Sequence, residues 1–157
     1  MIRRAHPSDA SAIRALWNLA ILKTLITFNA VAKTQAEVET AIAEQDAFFV
    51  AEEAGAVLGY AAFAPFRTGI GYAQTKEHSI MLAPEARGRG LGRALMDALE
   101  VEARAQDVHA LIAGVSGSNP GGEPFHAALG FVTVGRMSEV GHKFDAWHDL
   151  ILMQKVL

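Results

Sequence analysis

The chain has 157 residues, no cysteine and a formal net charge of −3. That length suits one domain with its own core, and the missing cysteines exclude disulfides, thiolate metal sites and a cysteine nucleophile. The acidic balance supplies no global field toward nucleic acid or an anionic membrane.

Hydrophobic residues make up 51% and charged residues 20%, the proportions of an ordinary soluble globular protein. No apolar run reaches membrane length. Met1-Ile2-Arg3-Arg4 does not open an export leader, so a cytoplasmic location is expected.

Ile2 to Ala5 reads as a short strand, and His6-Pro7-Ser8-Asp9 as a helix start. Ile13, Leu16, Trp17, Ala20 and Ile21 then recur at helical spacing. Ile26 to Lys33 has no period and reads as a loop free to line a site. Thr34 to Glu37 has the form of a capping box opening a helix through Glu44. Ala47 to Glu53 and Val57 to Phe66 form a hairpin pattern around Ala54-Gly55. Thr68 to Gln74 is an irregular loop, and His78 to Ala83 a strand closed by Pro84.

Leu91, Leu95 and Leu99 form the apolar stripe of the next helix, with Arg93, Asp97, Glu100 and Arg104 facing away. Val108 to Val115 reads as a buried strand and Ser116 to Gly122 as a turn-rich loop. Pro124 to Leu129 is a short helix stopped by Gly130. Strands over Phe131 to Val140 and Trp147 to Gln154 complete the chain. Residues 1–157 thus read as a single α/β domain, a mixed and mostly antiparallel sheet flanked by helices.

The segment Glu85 to Leu95, EARGRGLGRAL, invites a phosphate-binding interpretation. A dinucleotide fingerprint needs a third glycine where Arg93 stands, and a P-loop needs Lys-Ser/Thr where Arg93-Ala94 stand. Both fail. Backbone N–H groups at a glycine-rich helix start, with Arg87, Arg89 and Arg93 nearby, would still favour an anionic oxygen. A solvated helix start is the alternative.

Arg87-Gly88-Arg89-Gly90-Leu91-Gly92, set between a strand and a helix, resembles the pyrophosphate turn of the Gcn5-related N-acetyltransferases. Matching residues spread over most of the chain, with Glu77-His78-Ser79 and the pattern Lys143-Phe144, Trp147, Asp149-Leu150 among the specific ones. They are similar to the phosphinothricin and methionine sulfoximine acetyltransferase branch. The resemblance implies acetyl-CoA as cosubstrate, a small-molecule amine as acceptor, no metal, no nucleic-acid or membrane partner, and a homodimer. It implies direct attack of the α-amino group of a small amino acid or analogue on the thioester in a ternary complex.

On that resemblance Glu77 is the candidate base and His126 the candidate acid for the leaving thiolate. Ile80, Met81 and Leu82 would offer their backbone to the pantetheine arm, residues Arg87, Gly88, Arg89, Gly90, Leu91, Gly92 and Arg93 would hold the pyrophosphate, and Asn119 would contact the cofactor. Arg67, Thr68, Gly69, Glu77, His78 and Ser79 are the expected substrate contacts, Arg67 holding a carboxylate. His142 and His148 do not form a metal-binding motif.

Relatives usually carry an aliphatic residue at Lys76, often arginine at Ala73, serine at Gly122, and an aromatic residue or glutamine at His142. These departures bear on the acceptor. Acetylation of peptide or protein N-termini, and a catalytically silent acetyl-CoA sensor, are the competing functions.

Overall fold

The computed structural model describes all 157 residues. Seven strands form one sheet: β1 (Ile2–Arg4), β2 (Ala47–Glu53), β3 (Ala56–Pro65), β4 (Thr75–Leu82), β5 (Ala110–Ser116), β6 (Val132–Lys143) and β7 (Ala146–Val156). Their spatial order is β1-β2-β3-β4-β5-β7-β6, and every pairing is antiparallel except β4 with β5. Four helices flank it: α1 (Ala10–Lys23), α2 (Gln35–Glu44), α3 (Leu91–Ala105) and α4 (Gly122–Ala128). None is long and apolar enough to cross a membrane.

Two apolar cores result, one on each face. Leu95, Met96, Leu99 and Ala103 of α3 pack on Ala47, Ala51, Ala61, Phe63, Leu111 and Met153 of the strands. Ala10 and Ile13 of α1 and Val38 of α2 cover Phe48, Val50, Tyr60 and Ala62 on the other face. The expected leucine stripe of α3 is thus its buried side. Glu100, on the face expected to point outward, is buried as well, because Lys155 of β7 reaches across to it at 2.6 Å and Arg104 lies at 3.4 Å.

The ends of several elements differ from the sequence expectation. β4 begins at Thr75 rather than His78, because its polar residues Lys76 and Glu77 already pair with β3 and β5. β6 runs past Val140 to Lys143. Its pairing with β7 slips between Met137 and Gly141, which breaks the alternation, then resumes at Gly141 opposite His148. Only half of the capping box forms: Thr34 Oγ1 accepts from the Glu37 N–H at 3.2 Å, while the Glu37 carboxylate lies 4.0 Å from Lys33 Nζ.

α4 sits tightly on β5. A Cβ on Gly122 would meet Val115 Cγ1 at 2.5 Å and Asn119 Nδ2 at 3.1 Å, a physical reason for glycine at this position. Gly122→Ser should therefore cost about 1–3 kcal/mol in urea denaturation, as overpacking does, and Val115→Ala in the same chain should restore most of it. A Gly122→Ser protein as stable as the parent would show that the contact relaxes freely.

Candidate active site

β4 pairs with β3 along nearly its whole length, Gly59 to Pro65 against Leu82 to Lys76. It pairs with β5 only from Thr75–Ala110 to His78–Ala113. Beyond that point β5 continues with β7 as far as Ser116, so the facing edges of Ser79–Leu82 and Gly114–Ser116 are unpaired. Unpaired edges present a row of N–H and C=O groups able to bind an extended polar chain.

A cleft of about 800 Å³ opens there. Glu77, His78, Ser79, Ile80, Met81 and Leu82 of β4 line it together with Gly114, Val115 and Ser116 of β5. Leu16, Leu19 and Ala20 of α1 and the following Thr24, Ile26 and Thr27 form another wall. Asn119, Phe125 and His126 close the α4 side, and Arg87, Gly88, Gly90, Gly92 and Arg93 lie at the start of α3.

The glycines at that helix start do different work. Gly88 and Gly90 have φ of +72° and +80°, with nothing within 4 Å of where a Cβ would stand. The chain there needs glycine for its backbone shape and leaves the approach open. Gly92 instead is a packing position, since a Cβ would lie 3.0 Å from Phe125 and 3.2 Å from Leu82. The Ala94 N–H donates to Gly90 O at 3.0 Å, so the N–H groups of Leu91, Gly92 and Arg93 are the unsatisfied donors of the helix start.

The three arginines also separate. Arg89 turns away and gives two hydrogen bonds to Glu53, at 2.8 and 2.6 Å, which hold the Glu53 carboxyl below its usual pKa. Arg93 donates to Ala128 O at the end of α4, at 3.0 Å, while still lining the cleft. Arg87 lines the cleft too. Leu91 packs against the α3 core.

At the fork between the strands stands Glu77, opposite Ile112. Its neighbour Lys76 points elsewhere, to Asp46 at 2.7 Å, so Glu77 is not neutralised by it. Burial of the carboxyl against the cleft walls raises its pKa above the ordinary 4.5. Gly114 makes room for it, since a Cβ there would lie 3.1 Å from Glu77 Oε1. A glycine inside an apolar strand signals such a close approach, and this sequence signal was available for Gly114. The roles of Val115, Ser116 and Phe125 carried no signal of their own.

His78 and His126 form a buried pair, Nε2 to Nε2 at 2.9 Å. Gly122 O can only accept, so His126 Nδ1, at 2.8 Å, is the protonated nitrogen. The neutral His126 ring then accepts at Nε2 from His78. Burial is the first cause that lowers both pKa values, that of His78 to about 3.

Arg67, Thr68 and Gly69 are exposed and stand outside this cleft, with Arg67 5.2 Å over the Tyr72 ring. His142 also lies outside it, against Trp147. Of the loop expected over Ile26 to Lys33, Ile26 and Thr27 reach the cleft.

The chain matches the acetyltransferase (GNAT) family over residues 14–131. It is 37% identical to the L-amino acid N-acyltransferase MnaT of Escherichia coli K12, covering 98% of this chain and 91% of that protein. It is 36% identical to an L-methionine sulfoximine/L-methionine sulfone acetyltransferase of Salmonella typhimurium, covering 98% and 92%. Among solved structures, a ribosomal-protein-alanine N-acetyltransferase from Brucella melitensis superposes with a TM-score of 0.96 at 37% identity, covering 100% and 99% of the two chains. A phosphinothricin acetyltransferase from Sinorhizobium meliloti, in complex with acetyl-CoA, gives 0.95 at 33% identity, covering 100% and 88%. With that fold, that cleft and these relatives, the chain belongs to the GNAT family and is an N-acetyltransferase that uses acetyl-CoA.

Proposed function

We propose that this enzyme acetylates the α-amino group of a small amino acid or analogue of the phosphinothricin, methionine sulfoximine and methionine sulfone type. The observation that carries the reading is the position of Glu77, an unpaired carboxylate at the point where β4 and β5 part. Acetyl-CoA fits the remainder of the cleft by chemistry. Gly88 and Gly90 leave the backbone bare for a pyrophosphate, Arg87 and Arg93 supply charge, and the edge of Ile80, Met81 and Leu82 suits the pantetheine amides.

In the proposed step the substrate ammonium gives a proton to Glu77, directly or through one water. The freed nitrogen attacks the thioester carbon and the C–N bond forms. As the tetrahedral oxyanion collapses and the C–S bond breaks, the second proton on nitrogen passes to the departing thiolate, directly or through water, leaving amide and thiol. A β4 N–H at the open edge is the donor for the oxyanion. His126 faces a stricter condition: its neutral ring commits Nδ1–H to Gly122 and its lone pair to His78, so it protonates the thiolate only from the cationic form. Burial opposes that form. Glu77 therefore carries more of the catalysis than His126.

The acceptor's carboxylate meets no cation at the Glu77 end of the cleft, because Lys76 is tied to Asp46 and Arg67 stands outside. The proposal keeps Arg67, Thr68 and Gly69 as substrate contacts made when their exposed loop folds inward. It also takes the working form as a homodimer, supported by the apolar Val132, Val134, Met137 and Trp147, exposed on the sheet-edge strand β6 and its partner β7. Sedimentation velocity should give twice the mass of the chain, and a monomer at micromolar concentration would remove the dimer from the proposal.

Thiol release from acetyl-CoA with a panel of amino acids, phosphinothricin and methionine sulfoximine among them, tests the substrate class directly. Small amino acids should be acetylated and peptides beginning with alanine should not. The reverse order would favour the N-terminal acetyltransferase reading that the Brucella likeness keeps alive.

Glu77→Gln should lower kcat by about a hundredfold or more, the usual scale of general-base loss, with acetyl-CoA binding retained, whereas His126→Gln should lose less. Because the Glu77 carboxyl is raised, its reactive anion disappears as pH falls through that raised pKa, so the acid limb of kcat/KM should lie above 4.5. A limb that survives in Glu77→Gln would assign it to another group.

Gly90→Ala strains a left-handed residue beside the proposed pyrophosphate site. It should raise the KM for acetyl-CoA about tenfold with little change in the KM for the amine. An unchanged cofactor KM would move the phosphate site elsewhere.

A further inference from the structure

Lys143 is a charged side chain with almost no access to water, 3% exposed, at the end of β6. Its Nζ points into the C-terminal end of α1 and the segment that follows. It lies 2.6 Å from Thr24 O, 2.8 Å from Thr27 O and 3.5 Å from Ala20 O. An ammonium has three protons to give, and three carbonyls surround it here. Two of them end a helix, where a cation is electrostatically favoured.

A second set of contacts fixes the same segment to the same hairpin. A side chain on Gly141 would run into the Phe28 ring, so glycine lets Phe28 settle on β6. Phe28 stacks on His148, with centroids 5.6 Å apart and planes at 17°. His148 Nε2 donates to Lys143 O at 2.9 Å, which leaves Nδ1 to accept from Ser118 Oγ at 2.8 Å. Ser118 belongs to the loop that carries Asn119 into the cleft.

Thr24 and Thr27, whose carbonyls Lys143 holds, line the cleft, as does Ile26 between them. The cofactor side of the cleft is built from other elements, the start of α3 and the open edge of β4. We propose that Lys143 is a positioning residue for the amine acceptor: it fixes residues 24–27 as the wall against which the acceptor is held. The proposal rests on the reading that this wall faces the acceptor rather than acetyl-CoA. Lys143 acts through Thr24 and Thr27 and touches neither substrate.

The test compares the full-length parent with Lys143→Met and with Lys155→Met. The second variant removes a different anchoring lysine, the partner of buried Glu100 at 2.6 Å on the α3 side. In Lys143→Met, amide hydrogen exchange over residues 20–28 should accelerate about tenfold or more while β5 stays protected, the pattern of local rather than global opening. The KM for the amine should rise about tenfold, with kcat and the KM for acetyl-CoA within about twofold. Lys155→Met should lower the melting temperature without that split.

Unchanged exchange over residues 20–28 would overturn the anchoring. Accelerated exchange with both KM values moving together, or with only the acetyl-CoA KM raised, would overturn the link to the acceptor. Exchange needs no substrate, so failure of the proposed amino-acid specificity is distinguishable from failure of the anchor. If Lys143→Met does not fold, Lys143→Gln, which keeps fewer donors and no charge, should show a smaller acceleration over residues 20–28 and a smaller rise in the amine KM, and the absence of either overturns the proposal in the same way.

Discussion

The parting of β4 and β5 after His78 and Ala113 is the constraint on which the rest of the site depends. A parallel pair that stayed zipped would bury its backbone groups in each other. By separating, the two strands leave polar edges that must find other partners. Each strand remains held on its outer side, β4 by β3 and β5 by β7, so the gap is rigid rather than frayed. α4 with its His126 ring, α1 with its last turn, and the glycine turn before α3 all stand around this gap.

Four glycines serve the gap in four physical ways. Gly90 supplies a left-handed turn with open space before it. Gly92 lets α3 approach Phe125 and Leu82, Gly114 leaves volume for the Glu77 carboxylate, and Gly122 lets α4 rest on Val115. Only the first faces open space, as a glycine-rich ligand-binding motif would. The others are packing roles whose effect on chemistry is indirect, through where they set an acid, a ring and a helix.

The sequence made the architecture legible because most elements carry regular signals. The leucine stripe of α3 and the apolar strands Ala47 to Glu53 and Val108 to Val115 predict the central sheet and its covering helix, and these lie where expected, within a few residues. The fork between β4 and β5 was not legible from spacing, because strand pairing is a contact between segments more than thirty residues apart. The engagement of Arg89 by Glu53 and of Lys76 by Asp46 was hidden for the same reason. Charge in a sequence states what is available, and only the fold states what is already paired. The family resemblance supplied what periodicity did not, namely that the stretch at Glu77 is worth attention at all.

Charge placement also explains how a chain of net charge −3 suits a polyanionic cosubstrate. Arg87 and Arg93 line one end of the cleft and the Glu77 carboxylate the other. Glu77 and Leu82 are five residues apart on one strand, roughly 17 Å at the rise of an extended chain, so the two signs are well separated and weakly coupled through solvent. On the proposed function, phosphates are drawn to the end that holds the bare helix start, and an ammonium to the end that takes its proton. Whole-molecule charge is therefore a poor guide to the ligands of this fold. The strand edge between the two ends fixes the separation of the charges and, on the proposed function, the direction in which a bound thioester must point.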